Sequence, residues 1–72
     1  MKLPVVSGRE CITALQRVGF VFRRQKGSHM IMTRSNPAAQ VSVPDHRELD
    51  RGTLRTIIRD AGLTVDQFVA LL

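Results

Sequence analysis

The chain has 72 residues, 43% of them hydrophobic, and eleven Lys and Arg against six Asp and Glu give a formal net charge of +5. This length supports one small domain, and the ordinary hydrophobic fraction argues against a disordered tail. The single Cys11 excludes an internal disulfide and fits a reducing compartment, and no segment resembles a signal peptide or a membrane span. We therefore expect one cytoplasmic domain over residues 1–72, whose positive charge indicates a polyanionic partner such as nucleic acid or an acidic protein.

The first predicted element is a helix from Ser7 to Val18. Ser7 and Glu10 have the spacing of a capping box, in which two side chains bond the unpaired amides of the helix start. Cys11 lies on the apolar face of this helix, so we predict a small core residue there rather than a nucleophile. Gly19 follows as the residue that ends the helix.

Two strands are predicted next, Phe20–Arg24 and His29–Thr33, joined as a β-hairpin. A two-residue turn at Lys26 and Gly27 would place His29 opposite Arg24. A three-residue turn with Gly27 in the left-handed conformation would place it opposite Arg23. The second register is favoured because it brings four apolar residues to one face of the hairpin. They are Phe20, Phe22, Met30 and Met32.

The hairpin tip, residues 23–29, carries the chemistry. It combines the cations Arg23, Arg24 and Lys26 with the Ser28 hydroxyl and His29. Positive charge can hold a phosphodiester, and an imidazole can move a proton near neutral pH. Any hairpin tip tends to be polar, however, so this composition alone does not decide between a site and a solvated turn.

A third strand, Gln40–Val43, follows a turn at residues 35–37 and is predicted to stop at Pro44. The loop after it contains His46 and several acids, but their spacing fits no metal motif. We therefore predict no metal site and no cofactor, and assign His46 and the acids structural roles.

Asp50 is predicted to cap a second helix, Arg51–Ala61, and Thr64 with Gln67 to cap a short last one. Three arginines recur every four residues on the second helix and form what we call the arginine ridge: Arg51, Arg55 and Arg59. The ridge could follow phosphates or could simply be a solvated face. The order α-β-β-β-α with a short extra C-terminal helix predicts a two-layer α+β domain.

An ordered set of motifs across nearly the whole chain resembles the HicA toxin family. The set comprises Gly19-Phe20, Arg24, Gly27-Ser28-His29, Val43-Pro44-x-His46, Gly52-Thr53-Leu54 and Ala61-Gly62-Leu63. The sequence departs from the common pattern at Met32, where an aromatic residue is frequent and could stack on a base.

The resemblance implies a double-stranded-RNA-binding-domain-like fold. It also implies a toxin that cleaves mRNA as an endoribonuclease and is neutralised by a HicB-type antitoxin. The catalytic histidine of the family corresponds to His29. The neighbouring residues expected to contact RNA are Arg23, Arg24, Lys26, Gly27 and Ser28.

Two rival functions remain compatible with the sequence. One is a non-catalytic RNA-binding module of the same fold, and the other is a protein-interaction domain whose basic surface meets an acidic partner. RNA cleavage that depends on His29 would distinguish the endoribonuclease toxin from both rivals.

Overall fold

A computed structural model describes residues 3–72. The elements are α1 (Gly8–Gln16), β1 (Val21–Lys26), β2 (His29–Ser35), β3 (Ala38–Pro44), α2 (Arg51–Asp60) and α3 (Val65–Val69). The strands form one antiparallel sheet in the order β1-β2-β3. This confirms the predicted small α+β fold, whereas its likeness to a double-stranded-RNA-binding domain stays a prediction. Within residues 3–72, no helix is long and apolar enough to cross a membrane.

The helix starts follow the predicted capping motifs. Ser7 Oγ accepts from the Glu10 amide at 3.0 Å, and the Glu10 carboxylate accepts from the Ser7 amide at 2.8 Å. Thr64 and Gln67 repeat this capping box on α3, and the Asp50 carboxylate caps α2. Each motif satisfies amides that lack a partner inside the helix, so local sequence suffices to begin these helices.

The core lies between the helices and one face of the sheet, which we call the inner face. Its strand residues are Met30, Met32, Val41 and Val43, all buried. Residues that alternate with them point to the opposite, outer face. Cys11 is fully buried in this core, as predicted, and desolvation raises the pKa of its thiol to about 12, which keeps it protonated and unreactive.

The predicted hairpin registers are both wrong. Gly27 and Ser28 form the turn, and His29 pairs with Lys26 rather than with an arginine. A β-bulge at Arg23, between Phe22 and Arg24, shifts the register by one residue. The predicted partners of His29 are wrong because the turn lies one position beyond the predicted two-residue turn, whereas the bulge changes only the pairs farther from the turn than Arg24.

Phe22 is the one predicted core residue of the hairpin that is not buried. It pairs with Met32 on the inner face, yet 43% of it is exposed. Since β1 is an edge strand, Phe22 lies along an open cleft between β1 and α1, where it faces Ile12 and Gln16.

Arg34 joins the ends of three segments. Its guanidinium donates to the carbonyls of Pro37 at 2.9 Å, Ala61 at 3.0 Å and Val18 at 3.4 Å, and it lies 4.5 Å above the Phe20 ring. Carbonyls at helix C-termini lack partners inside the helix and carry partial negative charge. One half-buried side chain therefore ties α1, α2 and the β2–β3 turn together.

We expect Arg34→Met to lower the free energy of unfolding by about 2 kcal/mol, because it keeps an apolar stem over Phe20 but removes the bonds from a charged donor. Arg55→Met, at an exposed position on α2, is the matched control and should change stability by less than about 0.5 kcal/mol. Urea denaturation measures both values. Equal midpoints for the two variants would contradict the structural role of Arg34.

Candidate functional site

His29 lies at the start of β2, directly after the two-residue turn. Its backbone pairs with Lys26 on one side and Pro44 on the other, so it occupies the central strand at the end of the sheet. Gly27 has a φ of 60°, a left-handed conformation that glycine adopts without steric cost. The His29 side chain is exposed and points to the outer face, opposite to the buried Met30.

The predicted cations lie on the same face as His29. The Lys26 side chain is its cross-strand neighbour, at a Cβ separation of about 5 Å for such a pair. Arg24 pairs with Ile31, one position further along this face. Arg23 sits in the bulge, and its Nε donates to Thr33 Oγ1 at 2.8 Å, which directs the guanidinium across the outer face. The structure thus brings together His29 and three exposed cations.

Asp45 fixes the hairpin tip to the helix layer. Its carboxylate accepts from Arg9 Nε at 3.3 Å and Arg9 Nη2 at 3.2 Å, and also from Gln25 Nε2 at 3.3 Å. The same Gln25 amide donates to the Gly27 carbonyl, and the Asp45 amide donates to the Ser28 carbonyl at 2.7 Å. We call Arg9, Asp45 and Gln25 the Asp45 clamp, and it holds the turn that immediately precedes His29.

Gly8 allows α1 to come close enough for this clamp to form. A Cβ at Gly8 would overlap the carbonyl oxygen of Pro44, and the Gly8 amide donates to the His46 carbonyl at 2.9 Å. His46 therefore contributes its backbone to the structure, while its side chain is exposed. Asp50 has the predicted capping role, with Oδ1 accepting from the Thr53 amide at 3.2 Å.

Asp45→Ala should loosen the hairpin tip while the rest of the domain stays folded. We expect an unfolding free energy lower by about 1 kcal/mol, since the Arg9 partner is largely exposed and solvent screens the ion pair. Hydrogen exchange should show weaker protection of the residue 45 amide. The unfolding free energy and amide protection of Asp45→Asn should lie between those of the wild type and Asp45→Ala. Asp66→Ala, which removes an exposed acid on α3, is the control. Unchanged protection at residue 45 would show that the clamp does not hold the turn.

A groove opens beside His29, along the free edge of β3 and one flank of α2. The arginine ridge lies on the other flank of α2, because residues advance by about 100° each around a helix. Thr53, Thr56 and Asp60 line the groove, whereas Arg51, Arg55 and Arg59 are exposed away from it. The ridge is therefore separate from the surface that carries His29.

A family model described as the HicA toxin of bacterial toxin-antitoxin systems matches residues 8–63. The chain belongs to the HicA toxin family. The match extends from the start of α1 past the end of α2, so it includes the hairpin tip, the Asp45 clamp and the groove. The protein is accordingly the toxin of a toxin–antitoxin system. A search of curated proteins gives no significant match.

Met32, where this HicA chain departs from the common family pattern, is fully buried on the inner face. It packs in the core and is not available to stack on a base. Exposure of this position could have been excluded from the sequence, because Met32 alternates with His29 and Ile31 along the strand and so faces away from both.

Sequence reasoning missed the Asp45 clamp and the groove. Asp45 is 36 residues from Arg9 and 20 from Gln25, and no local motif links them. The groove forms only when α2 packs beside β3. The sequence does indicate the α2 side of the groove, because Gly52, Thr53 and Thr56 give one flank of this helix small and hydroxylated residues.

Proposed function

We propose that this HicA-family toxin is an endoribonuclease that cleaves mRNA, with His29 as the general acid or base. The observation that carries the proposal is the placement of His29 on an exposed, cation-bearing sheet face in a chain of this family. A phosphodiester on this face would meet positive charge and an imidazole together. The mRNA substrate would place the activity in the cytoplasm.

The chemistry needs little from the protein because RNA carries its own nucleophile. A base removes the proton from the ribose 2′-hydroxyl, which attacks the adjacent phosphorus. An acid then protonates the departing 5′-oxygen. A positioned acid–base group contributes about 10²–10⁴-fold to such a step. Cations beside the phosphorane add electrostatic stabilisation in the transition state.

The proposed roles follow from position. Lys26 is next to His29 and is placed to bind the scissile phosphate. Arg24 lies further along the outer face and is placed to bind the next phosphate. Arg23 is held by Thr33 and extends the same track. Gly27 and Ser28 form the exposed turn at the end of the sheet, where their backbone and hydroxyl groups can contact the RNA.

A HicB-type antitoxin would neutralise the toxin by covering this face with acidic groups. Opposite charges attract the two proteins over a distance and speed their association. Covering His29 alone is enough to silence the toxin, because His29 is the only side chain to which the proposal assigns an acid–base role. An inhibited complex that leaves His29 open to a histidine-directed reagent would mean inhibition through conformation instead.

The test of the proposed function is incubation of the purified toxin with mRNA and inspection of the RNA for cleavage products. Cleavage that is blocked by the antitoxin supports the proposal. RNA that is bound and left intact would identify a non-catalytic binding module. No binding at physiological salt would leave only an acidic protein as the partner of the basic surface.

RNA binding should be strongly dependent on salt, because cations rather than base contacts supply most of the affinity. For single-stranded RNA, the slope of log affinity against log salt is about −0.7 for each neutralised phosphate. Replacing Arg23, Arg24 and Lys26 with glutamine should therefore flatten the slope by about 2. Fluorescence anisotropy across a salt series measures it.

The arginine ridge provides a matched control, since replacing its three arginines with glutamine removes the same charge from another surface. We expect this variant to keep nearly the wild-type slope. A flattened slope in the ridge variant and an unchanged one in the tip variant would relocate the RNA to α2.

A further inference from the structure

The groove beside His29 differs in chemistry from the outer face. Its volume is about 690 Å³, within the range of small-molecule sites. Val41, Ile57 and Pro44 lie at its floor but are buried, so its accessible surface comes mainly from the residues around them, including Ser42, Thr53 and Thr56. The threonine methyl groups beside these hydroxyls suit a flat, polar-edged ring such as a nucleobase.

The direction of α2 places one end of this groove at His29. Arg34 pairs with Ala39 on the sheet and donates to the Ala61 carbonyl, so the C-terminal end of α2 lies near the start of β3. The N-terminal end of α2 therefore lies near Pro44, which pairs with His29. The groove begins at the proposed catalytic residue and extends along α2 toward Asp60.

The charges on the two sides of His29 differ in sign. Across the hairpin are Lys26 and Arg24, whereas the described residues that line the groove include two acids, Asp50 and Asp60, and no Lys or Arg. The negative charge of Asp60 is partly compensated by Arg59, whose Nε lies 3.6 Å from Asp60 Oδ1, and the carboxylate of Asp50 caps α2. A phosphate is thus favoured on the hairpin side and disfavoured in the groove, where an uncharged part of the RNA fits.

We propose that the groove is a subsite for the nucleoside next to the scissile phosphate. Its base lies over the methyl groups of Thr53 and Thr56, above the buried Val41 and Ile57, and the base edge bonds the two threonine hydroxyls. This inference rests on the proposed ribonuclease function and deepens it. A base inside the groove has left its own stack, so the substrate is RNA that is unpaired at the cut.

The test uses DNA oligonucleotides that contain one ribonucleotide, with or without a base on either side of the cut. We expect one of the two abasic substrates to be cleaved by the wild-type toxin with a kcat/KM about tenfold lower than that of the intact substrate. This is the size expected from the loss of a hydrogen bond and apolar burial together. Thr56→Phe fills the groove from an exposed position. It should lower kcat/KM on the intact substrate to the abasic level and show no further loss on the abasic one.

Thr13→Phe, which adds the same ring at an exposed threonine of α1, is the matched control and should keep the wild-type preference for a base. Thr56→Val, which removes only the hydroxyl, should reduce the preference partly. Equal cleavage of intact and abasic substrates by the wild type would overturn the subsite.

The proposed function and the subsite can fail separately. Should the wild type cleave neither these substrates nor mRNA, the ribonuclease proposal is wrong. If it cleaves mRNA only, that proposal stands. In both cases, equilibrium binding of the same oligonucleotides decides the subsite. Tighter binding of the intact one, lost in Thr56→Phe and kept in Thr13→Phe, supports it. Equal binding of both by the wild type rejects it.

Discussion

His29→Ala is expected to lower the rate of RNA cleavage by about 10²–10⁴-fold and to abolish growth inhibition in cells that express the toxin. The side chain is exposed at the end of the sheet, so its removal leaves no cavity. Stability should change by less than about 0.5 kcal/mol. The loss therefore reports chemistry rather than unfolding. Single-turnover cleavage of a labelled mRNA measures the rate.

His46→Ala is the matched control, because His46 is also exposed and serves the fold through its backbone carbonyl. It should remain toxic and cleave RNA near the wild-type rate. Circular dichroism and antitoxin binding confirm that both variants are folded. A folded His29→Ala variant that still inhibits growth would reject the assigned role, and inactivity of His46→Ala alone would transfer it to the other histidine.

A substrate with 2′-deoxy or 2′-O-methyl ribose at the cut should resist cleavage completely, because the proposed nucleophile is then missing or blocked. Both oligonucleotides should still bind, since the proposed contacts of Arg23, Arg24 and Lys26 are to phosphates, which both retain. EDTA should leave the rate on unmodified RNA unchanged, because no step of the proposed reaction uses a metal ion. Gel analysis of the products under these conditions measures all three effects.

Undiminished cleavage of the 2′-deoxy substrate would require water or another external nucleophile. It would contradict the mechanism even if His29 proved essential. A cleavage rate that falls in EDTA and recovers on addition of a divalent cation would also contradict the mechanism, because this result would show that a metal ion takes part.

The helices could be predicted from the sequence because their starts depend on residues three positions apart. Ser7 with Glu10 and Thr64 with Gln67 form capping boxes that no tertiary contact needs to support. The hairpin register was predicted wrongly because a glycine does not fix the position of the turn around it. The turn lies at Gly27 and Ser28 rather than at Lys26 and Gly27, which pairs His29 with Lys26 instead of an arginine.

The residues of the candidate site were accessible to sequence reasoning, but their surroundings were not. His29 and the cations are adjacent in the chain and share a motif. The Asp45 clamp and Arg34 join segments that only the folded chain brings together. The glycine at position 8 was visible in the sequence, but the reason for it was not. Its missing side chain lets α1 approach Pro44, and only the folded structure shows that contact.

Mass spectrometry of the first cleavage products tests the central claim most directly, because the ends of the RNA record which atom attacked the phosphorus. The mechanism predicts a 2′,3′-cyclic phosphate on one fragment and a 5′-hydroxyl on the other, formed by the wild type and not by His29→Ala. In water enriched with ¹⁸O, the cyclic product should carry no label. A 5′-phosphate with a 3′-hydroxyl, or label in the first-formed phosphate, would contradict attack by the 2′-hydroxyl.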